Sequence, residues 1–355
     1  MTLQELGFTR GLEEYRTNEN LTSFETGRVI SEHKERYTVK TQDLEYESEL
    51  LGNLRYSADS RYDLPAVGDW VAISAYDDHK ALIHAVYPRF SIIERQAVGK
   101  KGQVQIIATN IDIGLIVQAV DRDFNLNRLE RYLTICNASN ADPIIVLSKT
   151  DLISKEQLAE IKNKINSRNE KLSIIAVSNK NYAGYDNLKK EIQKGKTYCL
   201  LGSSGVGKST LLNGLSGQLL METGHISTSM NKGRHITSHR ELVVLNDGGI
   251  LIDNPGMREV GISDVTDGLE ITFESILDFT QNCKYKDCSH TNEKECGILA
   301  AIEEGELDED AYFNYQKLEK EKNFFEMNSL DRKKKDKNMG KLIKQIIKEK
   351  KKTKF

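Results

Sequence analysis

Residues 202–209 read Gly-Ser-Ser-Gly-Val-Gly-Lys-Ser, a combination of residue types and spacing suited to holding a polyphosphate. Gly202, Gly205 and Gly207 allow backbone conformations and close approach that a Cβ would block. The N–H groups of the loop, from Gly202 through Ser203, Ser204 and Val206 to Ser209 and Thr210, can then cradle phosphate oxygens at a helix N-terminus. Lys208 would neutralise the β- and γ-oxygens and so act in catalysis, while the Ser209 hydroxyl would bind Mg²⁺. The apolar run Tyr198 to Leu201 before the loop and Thr210-Leu211-Leu212 after it supply the strand, loop and helix that the pattern requires.

Which base the site takes is written elsewhere. Asp151, in Ser148-Lys149-Thr150-Asp151, follows an apolar strand, and its carboxylate could accept two hydrogen bonds from guanine N1 and N2. Adenine offers an acceptor at N1 and no 2-amino group, so it could not make that pair. The Lys149 stem could lie over the base, and Ser178-Asn179, after the next strand, completes a guanine site. GTP and GDP are therefore the expected substrate and product. Beyond the phosphate loop, Asp253-Asn254-Pro255-Gly256 ends a further strand. Asp253 could hold Mg²⁺ through water, and the Gly256 N–H could meet the γ-phosphate. In Gly233-Arg234-His235-Ile236-Thr237-Ser238, Thr237 is the expected hydroxyl ligand that completes Mg²⁺ coordination. Met257 stands where many GTPases carry the glutamine that orients water, and a thioether cannot do that work. Intrinsic hydrolysis should be slow, with His235 as the local base or water-positioning group. The order of these segments is rotated relative to an ordinary GTPase, in which the phosphate loop comes first. That is a circular permutation.

A second chemistry lies further on. Cys283, Cys288, His290 and Cys296 follow a C-x4-C-x-H-x5-C spacing. Three thiolates and an imidazole fill a tetrahedron and leave no open position, the signature of one structural Zn²⁺. Five cysteines in all, three of them crowded here, fit a metal site better than a disulfide framework.

These groups need a scaffold, and three patterns supply one. From about 24 to 95, short alternating runs such as Tyr37-Thr38-Val39 and Trp70-Val71-Ala72-Ile73 predict a small all-β barrel or sandwich, and a five-stranded barrel of the OB type would fit the length. From about 106, apolar strands at 111–117, 143–147, 173–177, 197–201 and 249–252 alternate with helices, as in a mainly parallel sheet buried on both faces. After about 270 the chain reads as helices around the cysteine cluster. The expected domains are 1–100, 101–268 and 269–355. The formal net charge of −3 conceals an asymmetry: residues 332–355 hold 12 Lys or Arg against Asp336 and Glu349, leaving −13 for the rest. An acidic body with a basic tail suggests an anionic partner such as RNA. Leu342, Ile343, Ile346 and Ile347 form an apolar stripe at helical spacing within that tail. No apolar run approaches the roughly 18 residues of a membrane span, and residues 1–5 lack the character of a signal peptide. A monomer in the cytoplasm is expected.

Together these features resemble the ribosome small-subunit-dependent GTPases, the YjeQ/RsgA family. The resemblance covers about residues 24 to 300 and rests on Gly202 to Thr210, Gly233-Arg234-His235, Asp253-Asn254-Pro255-Gly256 and the four zinc ligands. It implies a multidomain chain of OB-type β-barrel, circularly permuted α/β P-loop GTPase and helical zinc-binding domain. It also implies binding to the 30S subunit and its 16S rRNA late in maturation, with subunit-stimulated hydrolysis and release in the GDP state. A different class, an RNA-binding assembly factor in which nucleotide only stabilises the fold, is the alternative. Three positions depart from the family pattern. Ser148 replaces the usual Asn, a shorter side chain expected to brace the phosphate loop less well; Asn254 replaces Thr or Ser; and Ile236 interrupts a run of threonines.

Overall fold

The computed structural model describes the whole chain except residues 34–35, 97–103, 122–123, 170–171, 218–240, 254–265 and 327–355. Strands β1 (Glu25–His33), β2 (Arg36–Lys40), β3 (Glu45–Leu50), β4 (Trp70–Asp77) and β5 (Lys80–Val86) pair in the order β1-β2-β3-β5-β4, and β4 returns to β1. The ring is closed, with β3 and β5 its parallel pair. This is the expected five-stranded barrel. Alternation decides which side chains fill it: Tyr37 and Val39 from β2 and Tyr46 from β3 meet Val29, Val71, Ile73, Ala81 and Ile83 inside. Strand β3 has no clear signature in the sequence, because its inward face carries a polar residue, Ser48, that is nevertheless fully buried. Helix α1 (Arg10–Asn18) and the segment before it cover the outside of the barrel, with Phe8 edge-on to Trp70 at 4.8 Å between ring centroids, and the short helix α2 (Gly52–Ser57) follows β3.

A hairpin of β6 (Ile92–Gln96) and β7 (Val104–Thr109) leads into the second layer system. There β8 (Ile113–Ala119), β9 (Asp142–Ser148), β10 (Ser173–Ala176), β11 (Thr197–Leu201), β12 (Glu241–Val244) and β13 (Ile250–Asp253) lie in the order β10-β9-β8-β11-β13-β12. Only β12 runs antiparallel to its neighbour within this sheet. Helices α3 (Leu126–Ala138) and α4 (Lys155–Asn166) cover one face through Leu129, Leu133 and Ile165. Helices α5 (Tyr185–Glu191) and α6 (Lys208–Ser216) cover the other through Leu188, Leu211, Leu212 and Leu215. Burial on both faces accounts for the continuous apolar runs read in the sequence.

Among the described residues, the barrel joins this sheet edge to edge through the pairing of Ser31 with Glu241. Polar side chains lock the junction. Arg28 is fully buried and donates to the carbonyls of Leu6 (2.6 Å), Gly68 (3.1 Å) and Asn110 (3.1 Å), while its guanidinium lies over the Trp70 ring. Burial pulls its pKa down to about 10, with Asp112 and Asp69 opposing the shift. Beside it, Arg89 holds Asp69 through two hydrogen bonds of 2.8 and 2.6 Å, and Thr109 donates to the same carboxylate at 2.6 Å.

The last unit comprises α7 (Thr266–Thr272), α8 (Glu274–Thr280), α9 (Gly297–Glu303) and α10 (Glu309–Glu326) around Phe273, Ile276, Ile298, Tyr312 and Leu318. It docks on α3. A Cβ at Gly268 would lie 2.4 Å from the Thr134 carbonyl oxygen, so only glycine permits this approach. Arg131 binds Glu321 bidentately at 2.9 and 2.6 Å. Buried Glu130 accepts from Asn314 at 2.6 Å and Arg168 at 3.2 Å, and Arg168 also reaches Asp308 at 2.6 Å. Among the described residues, no helix is long and apolar enough to cross a membrane.

Candidate nucleotide site and metal centre

The C-terminal ends of parallel strands are where open α/β sheets bind ligands. Here β9 delivers Ser148, Lys149 and Asp151; β10 delivers Ser178 and Asn179; β11 delivers the loop from Gly202; and β13 delivers Asp253. The loop has the backbone that its sequence anticipates, with φ of 145°, 84° and 95° at Gly202, Gly205 and Gly207. A Cβ at Gly202 would stand 2.3 Å from the Val117 carbonyl oxygen. Helix α6 begins at Lys208, directly after the loop, and continues through Ser209 and Thr210. Lys208 is buried and donates to the carbonyls of Gly202 and Ser203, each at 2.7 Å. Burial lowers its pKa to about 8, while the nearby carboxylate of buried Asp253 opposes the shift. A cation held in this way has exchangeable partners and gains from an incoming phosphate. Ser204 and Gly205 are exposed at the loop tip, and Val206 turns inward to pack with Leu211 and Leu212.

The candidate base-reading segment is ordered by side-chain pairs. Ser178 donates to Asp151 at 2.6 Å, fixing an otherwise exposed carboxylate. Lys149, in the left-handed region at φ 59°, is held by Asp121 at 2.9 Å. Ser148 is fully buried, and its hydroxyl donates to the Val206 carbonyl at 2.6 Å. The shorter side chain thus reaches the phosphate loop with its one hydroxyl. Asn179 donates to the Gly207 carbonyl at 3.0 Å and accepts from the Tyr185 hydroxyl at 2.9 Å. Tyr132, on α3, hydrogen-bonds Ser203 in the loop.

In the C-terminal unit, the Sγ atoms of Cys283, Cys288 and Cys296 and a ring nitrogen of His290 all lie within 4.8 Å of one another. His290 Nδ1 is 3.4 Å from the sulfurs of both Cys283 and Cys296, which are themselves 4.0 Å apart. A tetrahedral zinc with Zn–S near 2.3 Å and Zn–N near 2.0 Å needs ligand separations of roughly 3.5–3.8 Å. The cluster fits. The local fold prepares it: the Gly297 N–H donates to the Cys283 sulfur at 3.3 Å, and Tyr312 holds the His290 carbonyl at 3.0 Å. His290 and Glu295 take positive φ, turning the chain sharply enough to bring four ligands together.

Comparison with known proteins agrees with this geometry. A family model described as RsgA GTPase matches residues 86–263, half of the chain. A protein of Lactiplantibacillus plantarum named small ribosomal subunit biogenesis GTPase RsgA 2 is 42% identical, over 85% of each chain. Its namesake in Listeria monocytogenes serotype 4b is 39% identical, over 90% of this chain and 89% of its own. This chain belongs to the RsgA GTPase family. YjeQ from Thermotoga maritima superposes with a TM-score of 0.60 at 24% identity, covering 83% of this chain and 96% of that one. YloQ, described as a circularly permuted GTPase, superposes equally well and covers 84% of this chain. At that identity both speak for the fold. An ABC transporter model also matches residues 185–345, a stretch that includes the phosphate loop.

Of the residues expected to act, Ser148, Lys149, Asp151, Ser178, Asn179, the loop Gly202 to Thr210 and Asp253 gather at one edge of the family's sheet. His235, Thr237 and Gly256 lie outside the described residues, as do Met257 and the basic tail. Three neighbours escaped the sequence reading: Asp121, Tyr132 and Tyr185. Asp121 sits just past β8, at the strand end where such sites form, and that position was a usable signal. The two tyrosines sit on helices and gave none.

Proposed function

We propose that this chain binds and hydrolyses GTP as a maturation factor of the small ribosomal subunit, engaging the 30S particle and its 16S rRNA with GTP and leaving after hydrolysis. The observation that carries this reading is the meeting of two half-sites on one sheet edge. Asp151, fixed by Ser178, presents a carboxylate of guanine-reading character, and the loop that begins at Gly202 presents a phosphate cradle braced from the same two strands. Asp151 would pair with guanine N1 and N2, with the Lys149 stem against the ring. Lys208 would leave the two carbonyls it now bonds and bind β- and γ-oxygens.

The family's Mg²⁺ would sit between Ser209 and Asp253 and screen the charge of the phosphates. Asp253 suits that task, being a buried carboxylate at the mouth of the loop. Thr237 and Gly256 would complete the contacts to the metal and the γ-phosphate, and His235 would position the attacking water. The Cys3His cluster would hold a structural Zn²⁺ that keeps the last domain in shape for RNA. The proposed divisions are barrel to about 100, GTPase to about 268, then the zinc domain and basic tail. Work on the 30S subunit implies a cytoplasmic protein, and a monomer suffices.

GTP hydrolysis by the purified chain, alone and with 30S subunits, tests the reading, with 50S subunits and ATP as controls. Strong stimulation by 30S alone is expected. Equal rates with 30S and 50S would sink the subunit assignment, and equal use of ATP would sink the guanine assignment.

A further inference from the structure

We infer that Asn179 and Tyr185 form a second brace on the phosphate loop, so that the Asn179 side chain serves phosphate binding rather than base recognition and Tyr185 is a positioning residue for the reaction. The inference rests on the nucleotide reading above and assigns within it a task that the motif pattern leaves open.

The argument starts from two successive peptides. The Val206 carbonyl accepts from Ser148 at 2.6 Å, and the Gly207 carbonyl accepts from Asn179 at 3.0 Å. Both peptides are trans, and in a trans peptide the C=O and N–H point to opposite sides. Anchoring these two carbonyls toward β9 and β10 therefore turns the N–H groups of Gly207 and Lys208 the other way, into the cradle. Ser148 has one hydroxyl, enough for one carbonyl. The second carbonyl falls to Asn179.

Tyr185 decides how Asn179 sits. Its hydroxyl donates to Oδ1 at 2.9 Å, leaving Nδ2 for the loop. A flipped amide would set Oδ1 against the Gly207 carbonyl, two acceptors facing each other. Tyr185 itself has little freedom: it is 3% exposed, packs with Leu188, Leu211 and Leu212, and has Tyr182 edge-on at 5.3 Å between centroids. Its ring lies directly under α6, since a Cβ at Gly214 would come 2.5 Å from Tyr185 Cε1. Burial also raises its pKa, keeping the hydroxyl a donor. Gly207 is matched to this arrangement, because a Cβ there would stand 2.6 Å from Asn179 Nδ2. The loop, the amide and the first turns of α6 thus share one buried tyrosine.

The brace aims N–H groups at phosphates beyond the first, so it should separate GDP from GMP. The test is competition against fluorescent mant-GDP by GDP and by GMP, on the full chain carrying Tyr185→Phe, Asn179→Ala or both. Tyr185→Phe keeps the ring under α6, and should it fail to fold, Asn179→Ala still carries the comparison. Each single variant is expected to weaken GDP about fivefold, the effect of one ordinary hydrogen bond, while GMP changes by less than about twofold. The double variant should be no weaker than Asn179→Ala alone, because Tyr185 acts through that amide. Equal losses for GDP and GMP would return Asn179 to the base, and additive losses would reduce Tyr185 to packing; either result overturns the inference. Failure of the unsubstituted chain to bind mant-GDP would be a separate result, removing the nucleotide reading itself.

Discussion

The proposed nucleotide site collects its side chains from residues 148 to 253, whereas the Cys3His cluster gathers four side chains between residues 283 and 296. The first is assembled by a sheet whose two faces bury apolar side chains from four helices, so its shape is set before any ligand arrives. The second is a short loop whose ligand residues, Cys296 apart, are only partly buried, set beside a smaller core of ten buried residues. Sites of the first kind take their geometry from the hydrophobic core. Those of the second kind take much of their folding energy from the ion. With zinc in the Cys3His cluster, as proposed above, the helical unit is the part whose integrity would depend on metal, and α3 is where that dependence would meet the nucleotide domain.

Metal removal should produce the largest effect. In zinc-finger peptides the ion contributes about 10–16 kcal/mol, so a strong chelator should strip hydrogen-exchange protection from residues 283–303 while GDP affinity stays within about threefold. Protection that survives chelation would mean that the small core holds the unit alone, and the contrast drawn above would fail. Next in size is the seam between the two regions. Arg168→Ala leaves Glu130 buried without its cation, a loss of about 3–5 kcal/mol visible in urea unfolding, with the helical unit detaching first. A shift below about 1 kcal/mol would show that Asn314 alone satisfies the carboxylate.

Asp151→Asn removes a charged acceptor from the nucleotide site without touching the core. GDP should bind about 10–100-fold more weakly, with thermal stability of the nucleotide-free protein unchanged. An unchanged GDP affinity would take Asp151 out of the site. The smallest effect concerns pH. Burial lowers Lys208 to about 8, and bound phosphates would hold its proton on, so binding above pH 8 must take up a proton. The Kd for GDP should rise by up to about tenfold between pH 7 and pH 9. Stability of the nucleotide-free chain moves the other way. The unfolded lysine keeps its proton to its ordinary 10.5, so the unfolded state binds more protons between pH 8 and 10.5, and Lys208 destabilises the fold less as pH rises through that window. A Kd flat across this range would place the lysine outside the phosphate contacts.

Much of this arrangement was legible in advance, for identifiable reasons. The apolar runs at 143–147 and 197–201 matched β9 and β11 because strands buried on both faces leave little room for polar residues. Strand β3 was not legible, since Ser48 points inward and breaks the apolar alternation. Strand β12 was hidden for another reason: four residues at a sheet edge carry too short a pattern. The expectation that Ser148 would brace the loop less well came from side-chain length, and the structure shows the hydroxyl within reach of Val206.

By itself, then, the sequence determined what is local. The glycines and lysine of the phosphate loop, the Asp151 segment and the Cys3His cluster declare themselves by type and spacing, because each chemistry requires those atoms a few residues apart. Only the tertiary structure decided which other side chains support them: Asp121 on Lys149, Tyr132 on Ser203, Asn179 on Gly207 with Tyr185 behind it, and Arg28 at the junction of three segments. Such partners follow from strand order and register, which bring together residues as far as 82 positions apart. No periodicity along the chain records that proximity.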